Sequence, residues 1–458
     1  MFIDTHAHLE MEQFDADRAE VIQRAKKAGV GMIVTVGSDL EGSFKAVDIA
    51  RQYDFIHAAV GIHPHESADV DERMLANLKK LARDPIVIAI GETGLDYFKK
   101  YASREAQIQL FKKHIKLARE IKKPVIVHCR DAWEDVLSIL KAEKAEEVGG
   151  IIHCFSGNRE MALKCVDLGF FISFAGPLTY PKSSQLREAA MAVPSERLFT
   201  ETDCPYLAPQ SNRGRRNEPA FVVETAKKLA EIKGVSLEDL GRIILKNMET
   251  LFKMGEPDGL GKPVYKIRNS LYVNVTMRCT NACVFCGRER NPIVAGHNLK
   301  LDNEPSVEEA IRGIGDPSAY DEVVFCGYGE PTLRLDFVKE VAKQVKEKGG
   351  KVRINTNGQG NLIHNRNILP ELHGLVDVIS VSLNAEDAEH YRLLSRPEFG
   401  EGAYQAVKEF IKEAVKYIPK VVATAVRVPG RVDIRQCEKL AEEELKVPFR
   451  VREFNVVG

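Results

Sequence analysis

Four histidines and two acidic residues in the first half of the sequence stand where β-strands are expected to end. They are His6, His8, Glu92, His128, His153 and Asp203. His6 and His8 are one residue apart, so both imidazoles face the same way in a strand. Imidazole and carboxylate ligands suit Zn, Mn or another divalent ion, and six ligands suffice for two ions. We therefore predict a two-metal site in which Glu92 can bridge ions roughly 3.5–4 Å apart, as in phosphoester cleavage.

Three cysteines directly follow these ligand candidates: Cys129, Cys154 and Cys204. The alternation of side chains along a strand turns them away from the ligands, so we expect them to pack in the wall of the fold. A single histidine at a strand end is more often a hydrogen-bonded core residue. Six residues of ligand type at strand ends argue against that interpretation.

A second constellation, Cys279-x3-Cys283-x2-Cys286, directly follows the strand candidate LYVNVT. Three thiolates in a short loop can hold three irons of a [4Fe–4S] cluster and leave the fourth iron open. A zinc site usually has four protein ligands, and the next histidine or cysteine after the loop is His297. Zinc therefore stays the alternative, and a disulfide is less favoured still in a cytosolic loop.

The elements that would position the first set are short β-rich runs alternating with amphipathic helical segments such as Arg104–Ile121 and Pro219–Ile232. Eight strands are predicted: Phe2–His8, Met32–Gly37, Ile56–His63, Ile86–Glu92, Val125–Cys129, Gly150–Cys154, Phe170–Gly176 and Leu198–Cys204. Eight β/α units favour a (β/α)8 TIM-type barrel, whose active site lies at the carboxyl ends of the strands. We place this domain at residues 1–255.

A stretch rich in Gly and Pro, without periodicity, separates a second series, and we predict a linker at 256–267. The following domain, 268–458, has six parallel-strand candidates: Leu271–Thr276, Glu322–Cys326, Lys351–Asn355, Val376–Leu383, Val421–Val428 and Phe449–Val457. Six such strands favour an incomplete (β/α)6 barrel over a closed one.

The first domain resembles the TatD family of metal-dependent deoxyribonucleases. The resemblance rests on His6-x-His8, GIHPH at 61–65, GETGLD at 91–96, HCR at 128–130, HCFSG at 153–157 and ETDCPYL at 201–207. It implies an amidohydrolase-type barrel, two divalent ions (Mg, Mn or Zn) on the six ligands above, and 3′–5′ exonuclease activity on DNA. It also implies catalytic roles for Glu92 and Asp203, and a role for His63 near the scissile phosphate. Some members of the family hydrolyse the ester of D-aminoacyl-tRNA, so the substrate stays open.

Further residues fit a phosphate substrate. Arg213, Arg215 and Arg216 lie in a Gly-containing loop after the eighth strand, where three guanidiniums could hold a nucleic-acid backbone. A solvated loop without a ligand is the alternative. His65 could likewise be a phosphate contact or a surface residue.

The second domain resembles the radical S-adenosylmethionine (SAM) superfamily through CTNACVFC at 279–286. The segment Gly327-Tyr-Gly329-Glu330-Pro331 is similar to the segment of that superfamily that binds the methionyl amine, with Gly329 and Glu330 carrying the match. The resemblance implies SAM contacts from Asn355, Asn357, Ser382 and Asn384 at strand ends, and from Phe285 beside the cluster, with Arg427 a weaker candidate. It also implies a 5′-deoxyadenosyl radical acting on an unknown substrate, and an electron donor of the flavodoxin or ferredoxin type.

Composition limits the remaining choices. The 65 basic and 66 acidic residues balance, so any site for DNA or another nucleic acid must be local. No apolar run approaches the ~20 residues of a membrane-spanning helix, and the start of the sequence does not resemble a signal peptide. We expect a cytoplasmic protein that does not bind membranes. Two alternatives to a bifunctional nuclease remain: a barrel that hydrolyses aminoacyl-tRNA esters or small amides, and a barrel that mainly binds substrate for the radical domain.

Overall fold

The computed structural model describes residues 1–254, 261–287, 292–428 and 430–453. The chain divides into two compact units, Met1–Gly255 and Glu256–Gly458, each built around its own mainly parallel sheet. Within the described ranges, no helix has both the length and the apolar character needed to cross a membrane.

The first unit is a barrel of eight parallel strands. They are β1 (Phe2–Ala7), β2 (Val30–Val36), β3 (Ile56–Val60), β4 (Val87–Asp96), β5 (Val125–Arg130), β6 (Gly150–Ile152), β7 (Phe171–Phe174) and β8 (Leu198–Thr200). Neighbours pair in chain order. The segment after β8 returns to β1, where the Asp203 N–H donates to the His6 carbonyl at 2.9 Å and Ala7 pairs with Cys204. The predicted (β/α)8 barrel is confirmed.

Nine helices of the described residues surround the barrel. They are α1 (Arg18–Lys27), α2 (Leu40–Ala50), α3 (Glu72–Leu81), α4 (Arg104–Ile121), α5 (Trp133–Ala142), α6 (Arg159–Asp167), α7 (Ser184–Ala192), α8 (Val222–Lys233) and α9 (Leu237–Phe252). The helix predicted at Arg104–Ile121 coincides with α4. It begins at Ser103, whose hydroxyl accepts the Ala106 N–H at 3.2 Å. Its buried residues Leu110, Phe111, Ile115 and Ala118 recur at helical spacing against the barrel core.

The second unit has nine described strands: β9 (Val264–Ile267), β10 (Ser270–Asn274), β11 (Ile293–Val294), β12 (His297–Asn298), β13 (Glu322–Cys326), β14 (Val352–Thr356), β15 (Val378–Ser382), β16 (Lys420–Arg427) and β17 (Phe449–Glu453). The main sheet has the order β17-β16-β15-β14-β13-β10-β9, and β11 and β12 form a small hairpin. The six predicted strands are present and mutually parallel, as expected for the incomplete barrel.

The helices of this unit pack on one face of that sheet. They are α10 (Val307–Ile314), α11 (Leu335–Glu347), α12 (Gly360–His364), α13 (Leu369–Leu372), α14 (Ala388–Ser395), α15 (Ala403–Ala414) and α16 (Ile434–Lys439), with a π-helical turn at Leu440–Glu444. Apolar residues of α11 and α15, including Val338, Val341 and Phe410, bury the outer face of the strands at Phe325 and Val381.

The two units divide between Gly255 and Glu256, where the first domain was predicted to end, but part of the predicted linker forms a strand. Within the linker predicted at 256–267, residues 256–260 lie outside the described residues, while Val264–Ile267 form β9 and pair antiparallel with β10. Residues 454–457 of the predicted sixth strand likewise lie outside the described residues. Strand β9 has only four residues, VYKI, between a proline and an Arg-Asn turn, so its sequence is too short to distinguish a strand from a linker.

Candidate functional site

The barrel brings all six predicted ligands to the carboxyl ends of its strands. His6 lies on β1 and His8 just after it, Glu92 lies on β4, His128 on β5, His153 directly after β6, and Asp203 three residues after β8. His6, His8, Glu92 and His153 are buried, whereas His128 and Asp203 are half-buried and face the opening. The positions follow from the parallel strand order, because equivalent ends of parallel strands meet at one edge.

The carboxylate of Glu92 lies at the centre of this group. Its Oε2 is 3.5 Å from the Nε2 atoms of both His6 and His8. Its Oε1 is 2.8 Å from His128 Nδ1 and 2.8 Å from His153 Nε2. Each oxygen therefore faces a different pair of imidazoles, which is the arrangement expected of a carboxylate that bridges two cations.

We name the group around Oε2 the first pocket: His6, His8 and Asp203. The Nε2 atoms of the two histidines are 3.1 Å apart, and Asp203 Oδ1 is 3.9 Å and 3.6 Å from them. The Nδ1 of His8 lies 2.8 Å from the Val36 carbonyl, which can only accept, so Nδ1 carries the proton and Nε2 offers a lone pair. Lone pairs and a carboxylate converging in a buried space fit a divalent cation.

We name the group around Oε1 the second pocket: His63, His128 and His153. The Nε2 of His63 is 3.4 Å from Glu92 Oε1, and His128 Nδ1 is 3.2 Å from His153 Nε2. The backbone N–H of His65 donates to His63 Nδ1 at 3.1 Å, so the neutral ring of His63 carries its proton on Nε2. His63 thus presents an N–H donor to the centre, whereas His128 and His153 can present lone pairs.

The histidines also set the charge of the centre. Burial alone would raise the pKa of Glu92, but His153, His63 and His128 outweigh burial and hold this pKa well below its usual range. Burial lowers the pKa of His63 to about 3. Around neutral pH, Glu92 is therefore a carboxylate and His63 an uncharged hydrogen-bond donor.

Three acidic residues that support the ligands were missed by the sequence analysis. Glu10 Oε1 lies 3.1 Å from His8 Nδ1, and Glu201 Oε1 lies 3.4 Å from His153 Nδ1. Asp96 Oδ2 lies 3.2 Å from His128 Nε2 and 3.0 Å from His65 Nε2. All three are buried. Such outer partners orient ligating imidazoles and fix their tautomers.

The prediction for the three wall cysteines is confirmed for two of them and wrong for Cys154. Cys129 and Cys204 are buried in the barrel core. Cys154 has a φ of 42°, which breaks the strand alternation directly after β6. Burial raises the pKa of its thiol well above the usual range, and the nearby negative charges of Asp203, Glu201 and Glu92 raise it further. Its backbone N–H donates to Glu201 Oε1 at 2.6 Å. Cys154 therefore belongs to the site and not to the wall.

The predicted phosphate contacts are not equally free to bind. Arg216 pairs with Asp17 at 2.6 Å and covers the ring of Phe14, so its guanidinium is held by α1 and the turn before it. Arg213 stacks on Tyr180 at 4.6 Å, and Arg215 is exposed. Arg216 is thus engaged by residues of the barrel, and the phosphate contacts of Arg213, Arg215 and Arg216 all stay predictions.

In the second unit, the three predicted cluster cysteines follow β10 in one loop. Cys283 interacts electrostatically with both Cys279 and Cys286, and burial raises its pKa to about 12. The loop is tied to the end of α14 by two backbone hydrogen bonds, from Ala282 to the Ser395 carbonyl at 3.1 Å and from Val284 to the Leu394 carbonyl at 2.9 Å. Phe285, between two of the cysteines, packs against the core of this unit.

Glu330 is held by hydrogen bonds within the second unit, and its contact with the methionyl amine stays a prediction. Its carboxylate is buried and accepts the backbone N–H groups of Thr332 at 3.0 Å and Asn357 at 2.7 Å. It also accepts the hydroxyls of Thr332 at 2.6 Å and Thr356 at 2.7 Å. Four internal donors occupy the carboxylate, so Glu330 positions the loops after β13 and β14.

Gly329 likewise serves the backbone, because a Cβ at this position would lie 2.2 Å from the Thr276 carbonyl oxygen. Asn357 donates to Thr280 Oγ1 at 2.8 Å and thereby holds the cysteine loop. Gly329 and Asn357, like Glu330, also hold the loops of this unit in place, and their contacts with SAM stay predictions.

The remaining predicted SAM contacts lie along one side of the sheet. Asn355 donates to Cys326 Sγ at 3.4 Å, and Ser382 accepts from Arg452 at 3.2 Å. Asn384 is buried with a φ of 62°, and its Oδ1 has no hydrogen-bond partner among the described residues. A buried orphan acceptor fits the contact with a bound ligand that was predicted for Asn384.

Comparisons with known proteins agree with this geometry. The family model described as TatD related DNase matches residues 3–253, and the model of the Radical SAM superfamily matches residues 273–442. The metal-dependent hydrolase YabD of Bacillus subtilis is 44% identical over 254 residues, which are 56% of this chain and 100% of that protein. The 3′-5′ ssDNA/RNA exonuclease TatD of Klebsiella pneumoniae is 35% identical over 254 residues, or 54% and 97%.

A solved structure matches the same part of the chain. The crystal structure of YjjV, a TatD homologue from Escherichia coli, aligns with a TM-score of 0.53 and 31% identity, over 56% of this chain and 98% of that one. These relatives therefore correspond to the barrel unit, which they match over nearly their whole length. The chain belongs to the TatD family of metal-dependent hydrolases, and it carries a radical SAM domain after the TatD barrel.

Proposed function

We propose that the barrel hydrolyses phosphodiester bonds of single-stranded nucleic acid, from the 3′ end, with two divalent ions. The observation that carries this proposal is the position of Glu92, whose two oxygens face separate imidazole pairs at 3.5 Å and 2.8 Å. The relative from Klebsiella pneumoniae bears the name of a 3′-5′ ssDNA/RNA exonuclease, and its similarity motivates the polarity.

Each residue has a defined part in the proposed reaction. His6, His8 and Asp203 would hold one ion, His128 and His153 the other, and Glu92 both. The bound ions would polarise the scissile phosphate and lower the pKa of the attacking water. The Nε2–H of His63 would donate to a phosphate oxygen, since its proton position is fixed by the hydrogen bond from His65. Glu10, Asp96 and Glu201 would keep the imidazoles oriented.

Exposed aromatic side chains around the opening support a single-stranded substrate. Tyr101 is 65% exposed and its ring lies 4.8 Å from the ring of His65, while Tyr206 is 49% exposed and lies 6.5 Å from His8. The ring of Phe98 is 54% exposed and carries the Arg130 guanidinium at 3.8 Å. Unpaired bases stack on such rings with roughly 1–3 kcal/mol per base, whereas paired bases are unavailable.

In the second unit, we propose that Cys279, Cys283 and Cys286 hold three irons of a [4Fe–4S] cluster, with SAM at the fourth. The support is the proximity of the three thiols in one loop and the polar side chains on the neighbouring strand ends. Such a cluster, reduced by a flavodoxin- or ferredoxin-type donor, supplies the electron that cleaves SAM to a 5′-deoxyadenosyl radical. The protein's own task is to orient the reactants and exclude water.

The barrel proposal is tested with the full chain and a 30-nucleotide oligonucleotide labelled at either end, in the presence of Mn²⁺ or Mg²⁺. We expect a ladder shortening from the 3′ end on the single strand, and at least tenfold slower cleavage of the blunt duplex. Hydrolysis of aminoacyl-tRNA without cleavage of either DNA would overturn the proposal in favour of an esterase.

The aromatic contribution is tested separately with Tyr101→Ala and Tyr206→Ala. Each should raise KM for the oligonucleotide at least fivefold and leave hydrolysis of bis(p-nitrophenyl) phosphate within twofold, because that substrate has no bases to stack. Phe44→Ala, a 46% exposed aromatic on α2, is the matched control. Unchanged KM in both tyrosine variants would contradict the stacking role alone.

A further inference from the structure

The two faces of the second sheet differ sharply in polarity. The face toward the helices is apolar, with Val273, Phe325, Ile354, Val381 and Ala423 in the core. Because side chains alternate along a strand, the residues between them face the other way. At the β14–β17 side, that opposite face carries Asn355, Ser382, Thr424, Arg450 and Arg452. An apolar group including Tyr265, Tyr272 and Val294 covers its other end.

The positive charge on this opposite face is only partly balanced. Arg353 is paired with Glu322, its Nε and Nη2 lying 3.0 Å and 2.8 Å from the two carboxylate oxygens. Arg450 and Arg452 form no ion pair with any acidic residue of the described ranges. The Nη2 of Arg452 donates to Ser382 Oγ at 3.2 Å, and its Nε is enclosed without a hydrogen-bond partner among the residues described.

The electrostatics of these arginines agree with the geometry. Burial lowers the pKa of Arg452, and the neighbouring positive charge of Arg450 lowers it further. Burial also lowers the pKa of Arg450, as does the charge of Arg353. Enclosing a guanidinium without a counter-charge is unfavourable unless an anion compensates it. Arg452 is such a group, and the exposed Arg450, two residues away on the same face of the strand, adds a second positive charge for a ligand of opposite charge.

We infer that Arg450, Arg452 and Ser382 form a binding site for an anionic group, a carboxylate or a phosphate, on the inner face of the radical SAM domain. The planar guanidinium fork matches the two oxygens of either group. Arg452 is bonded to Ser382 at the end of β15, two residues before Asn384. The Asn384 amide donates to Ser395 Oγ at 3.4 Å, and the Ser395 carbonyl accepts the Ala282 N–H of the cysteine loop, so the site adjoins that loop. The anion has two possible sources, the carboxylate of SAM and an acidic group of the radical substrate, and the test separates them.

The test is arginine footprinting of the anaerobically reconstituted full chain with p-hydroxyphenylglyoxal, read by mass spectrometry of peptides. Three additions are compared: SAM, 5′-methylthioadenosine, which lacks the carboxylate, and inorganic pyrophosphate in the presence of SAM. If SAM protects Arg450 and Arg452 at least fivefold and methylthioadenosine does not, the bound anion is the carboxylate of SAM. Protection only when pyrophosphate is added assigns it to a second, acidic ligand.

Absence of protection under every condition overturns the inference. A binding measurement adds an independent check: Arg452→Met should weaken pyrophosphate or SAM binding at least tenfold, while Arg435→Met, on the exposed side of α16, should leave both unchanged. If Arg452→Met loses its iron, Arg452→Lys, which keeps the charge but not the fork, replaces it. The footprint on the unaltered protein decides regardless of either variant.

Discussion

Replacing Glu92 with glutamine removes the negative charge on which both pockets converge while nearly preserving the shape of the side chain. The carboxylate oxygens lie between 2.8 Å and 3.5 Å from nitrogens of five imidazoles. At an effective dielectric constant of ~20, two unit charges 4 Å apart interact by roughly 4 kcal/mol, and a dication doubles this. Removing one preorganised electrostatic group typically lowers kcat by roughly 10²–10³-fold, or about 2.7–4 kcal/mol. We expect a loss of at least ~10²-fold because Glu92 would contact both ions.

The assay is single-turnover cleavage of a labelled oligonucleotide with saturating Mn²⁺, together with metal content after gel filtration. The variant should retain one divalent ion or fewer per barrel, against two in the unaltered protein. Glu188→Gln, an exposed carboxylate on α7, is the matched control and should behave like the unaltered protein. If Glu92→Gln binds two ions and cleaves at the control rate, the bridging role is refuted.

Three further predictions concern separate features of the molecule. Cys283→Ala should abolish the iron-dependent colour and 5′-deoxyadenosine formation while leaving oligonucleotide cleavage within twofold, because the two sites belong to separate units with separate cores; loss of both activities would contradict this. Glu201→Gln should weaken metal binding by about 10–100-fold through His153, as outer partners of ligands do, and unchanged affinity by titration calorimetry would oppose that role. A chain ending at residue 254 should keep its nuclease activity and unfold in one cooperative thermal transition, since the barrel has its own core. If this shortened chain aggregates and only the addition of the second unit keeps it in solution, the prediction is wrong.

The convergence of the six candidate ligands could be predicted from strand periodicity and the parallel order of the strands. His6 and His8 share a face by alternation, and Glu92, His128, His153 and Asp203 each follow an apolar run and lie at or near the carboxyl end of a barrel strand. The same reasoning misplaced Cys154, since one residue with positive φ reverses the direction of its side chain. Backbone exceptions of this kind leave no trace in an apolar pattern.

The supporting residues were missed for a different reason. Glu10, Asp96 and Glu201 lie inside or beside the motifs that carry the ligands, and acids so close to histidines were an available signal. Their roles depend on which imidazole each one reaches in space. Glu330 shows the same limit, since its motif predicts a ligand contact but does not indicate the four internal hydrogen bonds that its carboxylate accepts. Burial and hydrogen-bond saturation are properties of the packed structure.

The positions of the arginines on the last strand could also be predicted in part. The sequence FRVRE alternates arginine with apolar residues, which places Arg450 and Arg452 on one face of β17. Only the strand order shows that this face lies beside Ser382 and near the cysteine loop. A charge on an edge strand otherwise suggests a solvated side chain.

The central claim is that this chain holds two distinct metal centres, a divalent pair bridged by Glu92 and an iron–sulfur cluster on three cysteines. Crystals grown anaerobically with Mn²⁺ and measured at the manganese and iron absorption edges test it most directly. We predict two manganese peaks roughly 3.5–4 Å apart on either side of Glu92, and an iron peak at Cys279, Cys283 and Cys286. A single ion at the barrel, or zinc without iron at the cysteines, would contradict the account.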